Sequence, residues 1–117
     1  MRVTSLVGSP FLVEGKEYLV FGLLLTVDSP ANEVDTWITY FDGADLWDAP
    51  LGNFEIVDPR ISRHWEFQRW TDGAVTLWPP SFAEEYYRSE LRDWEPEVVA
   101  DFKRVRRLLE SEYAGDV

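Results

Sequence analysis

Apolar residues crowd the stretch EYLVFGLLLTVD, Glu17 to Asp28, and stop at the turn-forming DSPANE. A continuous run of this kind, rich in Val, Leu and aromatics, predicts a strand buried on both faces. Gly22 in its middle would weaken a helix; in a strand it marks a bulge. DTWITYFD, Asp35 to Asp42, alternates β-branched or aromatic residues with polar ones and predicts the next strand, reached through Ser29, Pro30, Ala31 and Asn32. Asp42-Gly43 then opens a loop that runs to Gly52-Asn53. FEIVD, Phe54 to Asp58, is a short strand ended by Pro59.

The segment HWEFQRW-TDG-AVTLW carries two strand-like runs around Asp72-Gly73, a pair that tolerates the positive φ of a tight hairpin turn. A two-residue turn would set Trp70 opposite Val75, Gln68 opposite Leu77 and Phe67 opposite Trp78. One face would then carry Trp70, Val75 and Leu77, and the other Trp65, Phe67 and Trp78. Pro79-Pro80 ends the ladder. Ser81 followed by Glu84 matches a capping box and predicts a helix from Phe82 to Leu91. A second helix is predicted from Pro96, with Val98, Phe102, Val105 and Leu109 on one stripe and Val99 and Leu108 widening it. Strands first and helices last define an α+β chain: one domain over 1–117, with a curved antiparallel sheet of about five strands followed by two C-terminal helices packed on it.

Composition narrows the chemistry. The chain has 117 residues, enough to bury a core unaided, and 45% of them are hydrophobic. It has no cysteine, which removes disulfides, thiolate metal sites and a cysteine nucleophile. The N-terminal MRVTSLVGSPFLV is a poor signal sequence, and no run reaches membrane-spanning length, so a soluble cytoplasmic protein is expected.

Charge is the most informative property. Twenty-two acids face 11 bases, for a formal charge of −11. That sign disfavours direct binding of nucleic acid or anionic membranes and favours a basic protein partner. Nine of the acids lie between Glu17 and Pro59, a segment with no Lys or Arg at all. They are expected to gather into one electronegative patch, which serves either as a solubilising surface or as a binding face. Within the segment, YFDGADLWDAPLGNFE surrounds Trp47 with Asp42, Asp45 and Asp48. An aromatic ringed by acids is anchor material for a basic partner: charge steers the encounter and the ring supplies contact energy. Glu33 and Asp35 extend the same candidate surface.

Other chemistries fit less well. Asp42, Asp45 and Asp48 are three apart, whereas a calcium loop alternates its ligands and ends on a bidentate Glu; position twelve here is Asn53. His64 is the only histidine, and no G-x-S-x-G elbow, phosphate loop or dinucleotide fingerprint is present. No catalytic residue, metal or cofactor is therefore expected. The basic run KRVRR, Lys103 to Arg107, reads as the solvated face of the last helix. A small-ligand or enzymatic domain remains the alternative, using a pocket between sheet and final helix lined by Trp65, Phe67 or Trp78 and an acid such as Glu66 or Glu55. A homodimer joined through an exposed hairpin face is a third option.

The run LGNFEIVDPR…HWEF…TDGAVTLWPPSF…DWEPEVVADF resembles small acidic bacterial proteins of the toxin-immunity type. The likeness spans Tyr18 to Phe102 and lies in strand-and-turn pattern. It implies a non-enzymatic cytoplasmic inhibitor that binds one basic partner tightly, and it assigns no residue a role.

Overall fold

The computed structural model describes residues 1–28 and 33–114, without the side chains of Asp28, Tyr113 and Ala114. The proposed connection Ser29 to Asn32 lies outside the described residues. Seven strands are present among those described: β1 (Arg2–Ser5), β2 (Glu17–Asp28), β3 (Glu33–Phe41), β4 (Leu46–Pro50), β5 (Phe54–Asp58), β6 (Glu66–Arg69) and β7 (Val75–Trp78). Two α-helices follow, α1 (Tyr87–Arg92) and α2 (Pro96–Ala114). The architecture is α+β, with a larger sheet than the five strands expected.

The long apolar run explains the topology. β3 follows one edge of β2 along most of its length. The other edge is shared: β1 pairs with Glu17 to Leu19, and β7 pairs with Leu23 to Leu25. The sheet therefore forks at β2, with order β4-β3-β2-β1-β5 and a side branch through β7 to β6. The fork falls at the bulge that Gly22 predicts, where pairing steps from Val20↔Tyr40 to Gly22↔Thr39 and leaves Phe21 unpaired. The freed Phe21 is buried and packs on Phe102 of α2, with ring centroids 5.4 Å apart.

α2 presents the expected stripe. Phe102, Val105 and Leu109 are buried, and Val98 and Val99 pack at the margin. Phe41 meets Phe102 at 4.8 Å, which clamps the end of β3 to the helix. Tyr18, Tyr40 and Phe54 form a second aromatic cluster. There the Tyr40 hydroxyl donates to the Phe11 carbonyl, and burial pushes its pKa up to about 12.

Four local expectations are corrected. The loop assigned to 42–53 contains a strand, β4, paired with β3 from Trp37↔Pro50 to Phe41↔Leu46. β1 is a further strand whose four residues are too few to show a period. The hairpin has three turn residues, not two: Trp70 N–H bonds the Ala74 carbonyl, and Gly73 takes φ 90°. The added residue shifts the register, so Phe67 pairs with Leu77 and Glu66 with Trp78. Finally, Ser81 is not an N-cap. Pro80–Ala83 is a 3-10 turn, Glu84 is extended, and α1 starts only at Tyr87. A continuous helix would place Phe82 and Tyr87 roughly 140° apart. Both are buried with centroids 5.1 Å apart, so the chain breaks to bury the two rings together.

A Cβ on Gly22 would lie 2.7 Å from Trp78 Cβ and 3.0 Å from the Leu77 carbonyl oxygen. Gly22→Ala is therefore expected to cost about 1–3 kcal/mol through overpacking at the fork. Urea denaturation checks this, with a lower midpoint at unchanged slope as the expected result.

Candidate interaction surface

The β3–β4 turn brings Asp42, Asp45, Trp47 and Asp48 together, but engages each of them internally. Asp42 Oδ1 accepts the backbone N–H groups of Ala44 and Asp45 at 2.8 Å, and Oδ2 accepts the Trp47 indole N–H at 2.8 Å. Burial alone would raise the Asp42 pKa; donation from Asp45, Ala44 and Trp47 together outweighs it and holds the carboxyl below its ordinary value. Trp47 is half-buried and packs on Phe11 at 4.2 Å. It is a packed and hydrogen-bonded part of the edge, less free than an anchor.

The other two acids, Asp45 in the turn and Asp48 on β4, meet arginines from α1. Arg88 grips Asp48 with two bonds, Nη1 to Oδ2 at 2.8 Å and Nη2 to Oδ1 at 3.1 Å. Thr39, fully buried on β3, donates to the same Oδ1 at 2.7 Å. Arg92 lies 3.7 Å from Asp45 and over the Trp47 ring at 5.9 Å. The loop that lacks counter-charge in sequence acquires it in space.

Glu33 and Asp35 sit at the other end of β3. Six residue steps along the strand separate Asp35 from Phe41, about 20 Å. Both are exposed, beside Val27 and Val34, which pair across the ribbon and are 50% and 60% exposed. The single patch expected from the first half of the chain is thus split, and two of the three acids in the turn group are paired with arginines. Elsewhere Glu17 pairs with Arg2 and Asp58 with Arg60.

The surface that combines unpaired acids with aromatics is instead 84–97. Its helix, α1, is short and two-sided. Tyr87 and Leu91 are buried, and Arg88 and Arg92 follow them by one residue each, so apolar and cationic side chains share the inward arc. Glu84, Glu85, Glu90, Asp93, Glu95 and Glu97 are all exposed. None has a salt bridge among the described residues. Tyr86 and Trp94 bracket the helix and are 66% and 72% exposed.

Their backbone is unusual. Tyr86 has φ 67° and Trp94 φ 59°, the two positive-φ non-glycine residues among those described. Glu95 N–H bonds the Glu90 carbonyl and Trp94 N–H the Leu91 carbonyl, which is the Schellman pattern with Trp94 where glycine is usual. A bulky residue there costs roughly 1–2 kcal/mol, with little burial in return. Sequence reasoning singled out Trp47 because its neighbours in the chain are acidic. Trp94 carries the same signal in DWEPE, which would have marked it as well.

A concavity of about 290 Å³ lies between the start of β6, the Pro79–Ser81 turn and α2. It holds Arg63, His64, Glu66, Ser81 and Arg104, but none of the three aromatics expected for a pocket in this place. Two polar atoms of its lining residues, His64 Nε2 and Ser81 Oγ, are buried without a hydrogen-bond partner among the described residues, while charged groups around it pair with one another. Asp101 pairs with Arg104 at 2.8 Å and accepts the Tyr87 hydroxyl at 2.8 Å, while Glu112 accepts the Ser62 hydroxyl and lies 3.9 Å from His64 Nε2. Among the described residues no helix is long and apolar enough to cross a membrane. No known protein family, no curated protein and no solved structure matches the chain.

Two measurements check this account. Asp42→Ala is expected to lose about 1–2 kcal/mol at neutral pH, the value of a capping carboxylate. Because the folded pKa is depressed, Asp42 stabilises fully above the unfolded value near 3.9, and its contribution disappears as pH falls through the folded value. Denaturation curves of the two proteins should therefore begin to converge only as pH falls below about 4. Trp94→Gly should keep the fold and raise stability by up to about 1 kcal/mol, since glycine suits φ 59°; a fall in melting temperature would show that the ring is structural.

Proposed function

We propose that the protein is a non-enzymatic acidic binding protein that neutralises a basic protein partner, in the manner of an immunity or inhibitor protein, and that it works in the cytoplasm. One observation carries the reading: Tyr86 and Trp94 project from strained backbone within a segment of six exposed, unpaired carboxylates. Such a surface supplies both parts of electrostatically steered docking. The acids raise the encounter rate, and the aromatics provide desolvated contact area once the partner arrives.

The acids of the β3–β4 turn take a supporting role. Asp45 and Asp48 draw Arg92 and Arg88 inward, which removes two cations from the outer side of α1. Glu33 and Asp35, with Val27 and Val34, form a separate acidic and apolar arm that gives a partner a second point of contact. The net charge of −11 adds long-range attraction.

The test uses the products of genes adjacent to this one, presented to the full chain in a surface-binding assay at low and high salt. Wild type should bind a basic product, with an association rate that falls as salt rises. Replacing Glu84, Glu85, Glu90, Asp93 and Glu95 by their amides should slow association about tenfold or more at low salt, and Trp94→Gly should mainly speed dissociation. An association rate indifferent to both salt and the amide substitutions would remove the reading.

A further inference from the structure

Beside Trp94 the surface opens into a groove of about 200 Å³. Its apolar lining comes from three elements: Phe41 from β3, Leu91 from α1, and Val99 and Phe102 from α2, with the Trp94 ring as one wall. Gly43 and Ala44 of the β3–β4 turn also line it, and their small size leaves the entrance open. Gly43 has φ 107°, a conformation that excludes larger side chains at that position.

The charges of the groove are the reverse of the protein's. In a chain with twice as many acids as bases, both ionised groups lining this groove are cations, Lys103 and Arg106. No carboxylate lines it. Arg106 is already occupied: it pairs with Glu110 at 2.9 Å and lies 5.4 Å from the centroid of the Phe41 ring. The Lys103 side chain has no ion-pair or hydrogen-bond partner among the described residues, although its carbonyl accepts from Arg107. An apolar cavity with an unpaired ammonium at its rim is complementary to an apolar body bearing one negative charge.

Size narrows the class. An apolar cavity of roughly 150 Å³ takes one benzene ring. The groove is slightly larger, so it accommodates a single aromatic ring with a short tether. Trp94 supplies a stacking face for that ring, which gives a use to a residue held at φ 59° with most of its surface in water.

We propose that this groove binds a small aromatic carboxylate, its ring between Trp94 and the Phe41–Phe102 floor and its carboxylate on Lys103. The site is independent of the docking reading above, although the two share Trp94. A ligand of about eleven heavy atoms would bind with a dissociation constant near 1 mM or somewhat tighter.

Titration of the isotope-labelled full chain with 3-phenylpropionate, followed by nuclear magnetic resonance, tests it. Saturable shifts are expected at the Trp94 indole N–H and at the Gly43 and Ala44 amides. 3-Phenylpropionamide, of the same shape without the charge, and 3-phenylpropylamine, of opposite charge, should each bind at least about tenfold more weakly. Lys103→Glu should lose the same factor at the Gly43 and Ala44 amides. Trp94→Gly should lose it too while keeping its far-ultraviolet spectrum. Equal binding of acid and amide, no saturable shift, or response only to a blocked peptide ending in Phe would each overturn the proposal. Lys103→Glu also separates the two readings, because it removes the cation that the carboxylate needs while adding negative charge at the border of 84–97, so docking of a basic protein should be kept or strengthened.

Discussion

The inward arc of α1 is the constraint on which the candidate surface depends. Six residues make too short a helix to persist alone, so packing must hold it. Tyr87 and Leu91 bury themselves, and Arg88 and Arg92 reach Asp48 and Asp45 on β4 and the turn before it. Each ion pair is half-exposed and is worth no more than about 1 kcal/mol. Their greater effect is directional. They fix which side of α1 faces the sheet, and the acids are left on the other. The Tyr87 hydroxyl adds a bond to Asp101 on α2, where burial would raise the carboxyl pKa but donors led by Arg104 hold it low.

That arrangement requires the sheet beneath to be bent. Thr39, which shares Asp48 with Arg88, pairs with Gly22 at the bulge of β2. The bulge frees Phe21 for α2 and lets β7 replace β1 along the same edge. A straight, unforked β2 would present neither the Phe21–Phe102 contact nor the close approach of Trp78 to Gly22. Fork and helix packing thus meet at the bulge beside one glycine in the longest apolar run.

Much of this was legible in the chain, and the reasons for the misses are physical. β2, β3, β5 and α2 announce themselves through long or regular apolar patterns, and the stripe from Val98 to Leu109 matched the buried face. β4 did not, because LWDAP is five residues with a proline and an acid among them. Its strand identity comes from pairing with β3, a tertiary effect. The hairpin register failed by one residue, since Asp-Gly serves two-residue and three-residue turns alike. α1 was displaced because burial of Phe82 and Tyr87 overrode a good capping box. At the candidate surface, local composition located acids but not their partners. Arg88 lies forty residues from Asp48, and no pattern in either segment reveals that they meet.

The claim that paired acids on the sheet orient α1 is tested most directly by amide hydrogen exchange in the double variant Asp45→Asn, Asp48→Asn. Protection in Tyr87–Arg92 should fall roughly fivefold to tenfold, the equivalent of about 1 kcal/mol, while β2 and α2 keep theirs. Unchanged protection across α1 would mean that Tyr87 and Leu91 alone hold the helix, and that the arginines play no part in turning its acids outward.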